Sequence, residues 1–157
     1  LLTGAVPLAQ AERALANAAS TLAQLHRVQL HGRHGDHFAL SHGDATTRNV
    51  ICDPATGQAI WIDFDSVHSS KIPALLRHAD DLRALLFSAT SRAPEADVPY
   101  FVAVALEAYG DWRQIAALGE LIADPTLSND LWHLAQAASS AERRLRCRLA
   151  IRSFLGM

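Results

Sequence analysis

"SHGDATTRNVICDPATGQAIWIDFD", residues 41–65, decides how this chain is read. Two short apolar runs, "NVICD" (49–53) and "AIWID" (59–63), carry β-branched residues and flank the turn sequence "PATG" (54–57). That pattern predicts a small hairpin. A hairpin sets its two ends side by side, so Asn49 and Asp63 should be neighbours, with Asp44 on the loop that feeds in. The tripeptide His-Gly-Asp stands at 42–44 and also at 34–36. Five residues after Asp44 stands Asn49 and the first strand; five after Asp36 stands Ser41, with no strand opening there. The second copy is therefore read as the working loop and the first as linker.

Working outward, the flanking sequence is helical. "PLAQAERALANAASTLAQLHRVQLHG" (7–32) is alanine-rich, with Leu15, Ala18, Leu22 and Leu25 at helical spacing. Pro7 and Gly32 punctuate it, and a polar, His-rich connector should follow, with no strand ahead of Gly32 or Gly35. "RHADDLRALLFSAT" (77–90) is helical by Leu82, Leu85 and Leu86, and Asp80 and Asp81 are read as its N-terminal turn. Three further stretches, 98–110, 111–123 and an Arg-rich one from Ser128 to Leu155, follow the same period. Asp111, Asp124 with Pro125, and Ser128 mark the breaks. The fold class expected is mainly α, one domain over residues 1–157 with one small β-hairpin. Trp61, Trp112 and Trp132 sit in apolar stretches and are expected in the core.

Bulk properties exclude several roles. A net charge of −2 leaves no electrostatic footprint for nucleic acid. No apolar run approaches the length of a membrane span, and "LLTGAVPLAQ" lacks a signal-peptide pattern. Cys52 and Cys147 stand far apart, which fits reduced thiols and a cytoplasmic location. Five of the fourteen basic residues (Arg143, Arg144, Arg146, Arg148, Arg152) fall in one ten-residue stretch. They read as a solvated helix face, with peripheral contact to an acidic partner or membrane surface as the alternative.

The loop and hairpin place two carboxylates and an amide oxygen at one edge. Such oxygen donors suit Mg²⁺, which takes one or two carboxylates and completes its shell with water and phosphate oxygens. A carboxylate not tied up by metal can orient a hydroxyl and accept its proton. This is the equipment of phosphoryl transfer, where catalysis is mostly positioning and charge neutralisation. "HGDATTRN" followed by "IDFD" resembles the catalytic loop and metal motif of the protein-kinase-like superfamily. It is most similar to the aminoglycoside and choline phosphotransferases and the lipopolysaccharide-core (Kdo/heptose) kinases. "LAQLH" and "DDLRALLFSA" resemble the helices before and after those motifs. The resemblance runs in order over roughly residues 1–90; the remainder matches only in being helical.

The resemblance implies a protein-kinase-like C-lobe and these roles. Asp44 would be the catalytic base and His42 would buttress its loop. Asn49 and Asp63 would hold Mg²⁺ against the phosphates of ATP, with Asp65 a further acidic residue at the metal motif. Asp81 would hydrogen-bond the backbone of the catalytic loop. Only fifteen residues separate Asp65 from Asp81, and no A-P-E motif occurs. A peptide-docking platform cannot fit there, and Thr46 stands where Ser/Thr kinases carry Lys. Both points favour a small-molecule or sugar hydroxyl as acceptor, including that of a glycolipid.

The family's Gly-rich loop, strand Lys and helix Glu precede its catalytic loop, whereas Lys71 is the only lysine here and follows the metal motif. The chain is therefore expected to be a C-lobe whose N-terminal nucleotide-clamp lobe is absent, inactive by itself. The alternatives are a pseudokinase-like scaffold or regulatory module, or an atypical protein kinase.

Asp and Asn favour turns in any protein, but not in this order with two strands between. Five histidines (His26, His31, His34, His37, His42) fall close together, but no Cys lies near, and His31, His34 and His37 are read as exposed loop residues more than a zinc site. The serines of "DSVHSS" lack a hydrolase elbow, so Ser–His–Asp hydrolysis is the poorest of the readings.

Overall fold

The computed structural model describes residues 7–31, 37–53, 55–66, 68–124, 127 and 140–157. These form a mainly helical domain with two small antiparallel strand pairs. In chain order they are α1 (Leu8–His26), β1 (Gln29–His31), β2 (His37–Ala39), β3 (Val50–Cys52), β4 (Ala59–Trp61) and α2 (Ala74–Thr90). A 3₁₀ turn (Glu95–Asp97) then leads into α3 (Val98–Tyr109), α4 (Trp112–Ala123) and α5 (Ala141–Phe154). Among the described residues no helix is long and apolar enough to cross a membrane.

The expected hairpin is β3–β4, in the register Val50↔Trp61, Ile51↔Ile60, Cys52↔Ala59. Period-two alternation turns Val50 and Trp61 inward and leaves Ile51 and Ile60 exposed. Gly57 closes the turn in the left-handed region (φ 73°). The hairpin lies across α1. The Trp61 indole N–H donates to Thr21 Oγ1 at 3.2 Å, and the Cys52 thiol reaches the Ala14 carbonyl at 3.6 Å.

The core is built where α1 meets α3, α2 meets α4, and α3 meets α5. On α1 the buried stripe is Ala11, Leu15, Ala18, Ala19, Leu22, Ala23 and His26. Four of these are alanines, which cost no side-chain entropy in a helix and let a neighbouring helix approach closely. Leu22, Leu82, Leu85, Leu86, Leu106 and Leu118 are fully enclosed. Each contributes about 2 kcal/mol by burial. Gly110 (φ 72°) ends α3, and Asp111 caps α4 by accepting from Arg113 N–H at 3.1 Å.

Several expectations are corrected. α1 stops at His26, short of Gly32, and β1 precedes Gly32, pairing with β2 as a second hairpin. Each strand has three residues and none is buried, so neither carries an alternation signal. α2 begins at Ala74 behind Pro73, so Asp80 and Asp81 lie well inside the helix, at 1% exposure each. Trp112 is 61% exposed, stacked on Phe154 with ring centroids 5.8 Å apart. Trp132, His34, Asp36 and the first half of the Arg-rich stretch lie outside the described residues. Within α5, Arg146 pairs with Glu95 and Glu142, and Arg148 lies over the Phe87 ring.

Candidate functional site

The loop from Ser41 to Asn49 is held from beneath by α2. The Asp81 carboxylate accepts from the backbone N–H of His42 at 2.7 Å and of Gly43 at 2.8 Å. Gly43 takes a left-handed backbone (φ 86°), so the loop turns sharply just ahead of Asp44. Seven residues further along α2, Ser88 Oγ accepts from the N–H of Thr47 at 2.9 Å. Both ends of the loop are thus anchored on one helix.

Asp81 is itself supported. His26 Nε2, at the end of α1, lies 3.0 Å from its Oδ2, and the Tyr109 hydroxyl lies 2.7 Å from His26 Nδ1. Burial, then the nearby carboxylates of Asp111 and Asp81, push the Tyr109 phenol upward, so it remains an O–H. His78 stacks on His26 with centroids 4.0 Å apart and planes 6° from parallel. Its Nε2 lies 2.9 Å from the Leu40 carbonyl, while Gln114 Nε2 donates to its Nδ1 at 3.1 Å. Burial, then His26, pushes His78 down to about 4. It is therefore neutral at physiological pH and carries its proton on the nitrogen facing Leu40.

His42 is fully enclosed, its ring against Trp61 and Phe64. Its Nδ1 accepts from Asp44 N–H at 3.3 Å, so Nε2 carries the proton and donates to the Ile62 carbonyl at 2.9 Å. The histidine therefore links the Asp44 loop to the residue just before Asp63. Asn49 completes the loop: its Nδ2 donates to both Asp44 Oδ2 and the Asp44 carbonyl, each at 2.9 Å. Asp44 Oδ1 is buried with no protein partner. A buried carboxylate oxygen left without a donor is unusual in a folded protein and marks a place where an incoming hydrogen-bond donor would be stabilised.

At the hairpin's end, Ile62 N–H donates to the Asn49 carbonyl at 2.9 Å, which sets Asp63 two residues beyond the last ladder pair, Val50↔Trp61. Asp63 is exposed and is the one non-glycine residue with positive φ (62°) among the described residues. This conformation is uncommon outside glycine, and such strain concentrates at functional sites. Asp65 is also exposed. The structure thus brings His42, Asp44, Asn49 and Asp81 into one bonded cluster, with Asp63 following the Ile62–Asn49 bond and Asp65 two residues further along the chain.

Among the described residues no group of three or more His, Cys, Asp or Glu side chains is arranged to hold a metal. His31 and His37 are exposed and meet edge to face, with centroids 4.5 Å apart. Sequence reasoning missed the supporting shell: His26, His78, Tyr109, Ser88 and Gln114. One signal was available: tandem acids at positions 80 and 81, directly ahead of the buried Leu82, Leu85 and Leu86. No protein-family model, curated protein or solved structure matches the chain.

Proposed function

We propose that this chain is the C-terminal lobe of a cytoplasmic, ATP- and Mg²⁺-dependent phosphotransferase acting on a hydroxyl of a small molecule or glycolipid sugar. The observation that carries the reading is Asp44. One of its carboxylate oxygens is held by Asn49, while the other is buried and unpartnered. An acceptor hydroxyl donating to Oδ1 would be oriented by it and would pass its proton there as the new O–P bond forms. Asp81, Ser88 and His42 hold the loop so that this geometry exists before the acceptor arrives, which is the main contribution a protein makes to phosphoryl transfer.

The donor set fits Mg²⁺. The Asn49 amide nitrogen is spent on Asp44, leaving its oxygen as a ligand atom, and Asp63 and Asp65 supply exposed carboxylates nearby. Few protein ligands, with water and phosphate oxygens completing the shell, is how this cation binds at nucleotide sites. When bound, Mg²⁺ neutralises the phosphate oxygens. Eight residues (66–73) separate Asp65 from α2. So short a segment supports a small acceptor over a docked peptide. On this reading the nucleotide clamp belongs to a preceding lobe.

The test uses the full-length natural protein with millimolar Mg-ATP. Asp63→Ala should abolish the nucleotide-dependent thermal shift. Asp44→Ala should keep the shift and lose phosphate release. Undiminished turnover in Asp44→Ala sinks the assignment, and no shift in the unmodified protein favours a scaffold.

A further inference from the structure

Asp80 adjoins Asp81 in the chain but serves a different segment. Its Oδ1 pairs with Arg83, and its Oδ2 lies 3.1 Å from His68 Nε2. On the other side of the ring, His68 Nδ1 lies 3.1 Å from Ser41 Oγ, which also accepts from Arg77 Nη1 at 3.2 Å. The bonding is consistent if Ser41 O–H donates to Nδ1 and Nε2–H donates to Asp80. The His68 side chain is 0% exposed, and it is the sole buried residue among those described between 62 and 71. Among the described residues, Ser69 and Lys71 bond within their own turn.

A Ser, a His and an Asp in one hydrogen-bonded row invite comparison with a hydrolase triad. The row has the opposite sense. In a triad Nε2 faces the serine and Nδ1 the acid, whereas here the two nitrogens are exchanged. Ser41 is 8% exposed and its oxygen already takes the Arg77 guanidinium, so it is no nucleophile.

The row instead joins two segments. Ser41 immediately precedes His42, whose N–H is held by Asp81. His68 follows the metal-motif residues Asp63 and Asp65. Two successive residues of α2 thus set both sides of the candidate site, Asp81 the catalytic loop and Asp80 the segment after the metal motif. We propose that His68 is a positioning residue that couples the segment 64–72 to the Asp44 loop, so that Asp63 and Asp65 are held in register with the base. It is a fixed internal latch, doing by a buried side chain what a docked ligand or an added charge does for mobile loops. This inference rests on the phosphotransferase reading above.

The test uses the full-length natural protein with Mg-ATP as the only substrate, water standing in for the acceptor. His68→Ala should lower kcat for ATP hydrolysis roughly 10- to 100-fold, the cost typical of a small misplacement, with KM for ATP little changed. Backbone hydrogen exchange should accelerate in both 41–44 and 64–72. His68→Gln keeps an N–H for Asp80 and should recover part of the loss, which a purely structural residue would not predict for kcat per folded molecule. Wild-type kcat in folded His68→Ala overturns the inference. Should that variant not fold, Ser41→Ala removes only the hydroxyl, and wild-type kcat there overturns it equally. If Asp44→Ala still hydrolyses ATP, the inference and the reading beneath it fall together; if Asp44→Ala is dead and His68→Ala is not, only the inference falls.

Discussion

Acidification should destabilise this protein through His78 in a way that a single substitution exposes. Burial, then the stacked His26 ring, holds the His78 imidazolium at about 4 against an ordinary 6.5, with Arg77 adding to the depression. The Leu40 carbonyl and Asp81 oppose it. The folded value lies below the unfolded one, so as pH falls the unfolded chain takes up the proton first and stability drops. The loss begins near the unfolded value and is complete once the folded imidazole also titrates. The whole shift corresponds to about 3 kcal/mol. At about pH 5 the unfolded imidazole is nearly all charged and the folded one about a tenth charged, so about 2 kcal/mol is already lost relative to pH 7.5.

Carboxylates titrating in the same range obscure this in the wild type alone. His78→Gln supplies the control, because its amide can donate to the Leu40 carbonyl without titrating. Urea unfolding of both proteins at the two pH values should show the wild type losing about 2 kcal/mol more than the variant. Equal losses, within about 0.5 kcal/mol, would mean that His78 is not held neutral by its surroundings and would refute the reasoning.

Asp81→Asn offers one acceptor oxygen where the carboxylate serves the N–H groups of His42 and Gly43 and the His26 ring, and it turns an amide N–H toward a donor. Urea unfolding should report a loss of about 3 kcal/mol; a loss under about 1 would remove Asp81 as the loop's anchor. Leu22→Ala empties a site with 0% exposure and should cost about 3 kcal/mol by the same assay, with a near-neutral result contradicting the packing of α1. Cys147 is fully enclosed and its thiol is pushed up to about 12 by burial, while Cys52 is half-buried. A thiol reagent at about pH 8 should label Cys52 in the native protein and Cys147 only after denaturation. Rapid native labelling of both would contradict the position of α5.

The hairpin was legible because its signals are local: β-branched runs, a Gly turn and an alternation that a single α1 face can satisfy. α3 and α4 were legible for the same reason, each bounded by a residue whose own backbone or side chain ends a helix, Gly110 and Asp111. The β1–β2 pair was not. Its strands bury nothing, so no pattern distinguishes Gln29–His31 from a loop; only the opposing segment makes them strands. Trp112 misled for a related reason, since apolar neighbours in sequence do not reveal which face of a helix lacks a partner.

What the sequence by itself determined is the run of helical segments, the β3–β4 hairpin and the order in which Asp44, Asn49 and Asp63 stand about it. What only the tertiary structure decided is which acids are enclosed and bonded within the fold and which stay exposed. The sequence reads Asp80 and Asp81 as the N-terminal turn of a helix, and only the resemblance turns Asp81 toward the loop backbone. They are buried because His26, His42, Gly43 and His68, between 12 and 55 residues away, converge on them with N–H groups. A buried carboxylate is tolerated only where such donors meet it. Among the described residues, Asp44 Oδ1 is by contrast a carboxylate oxygen that the fold encloses and does not satisfy.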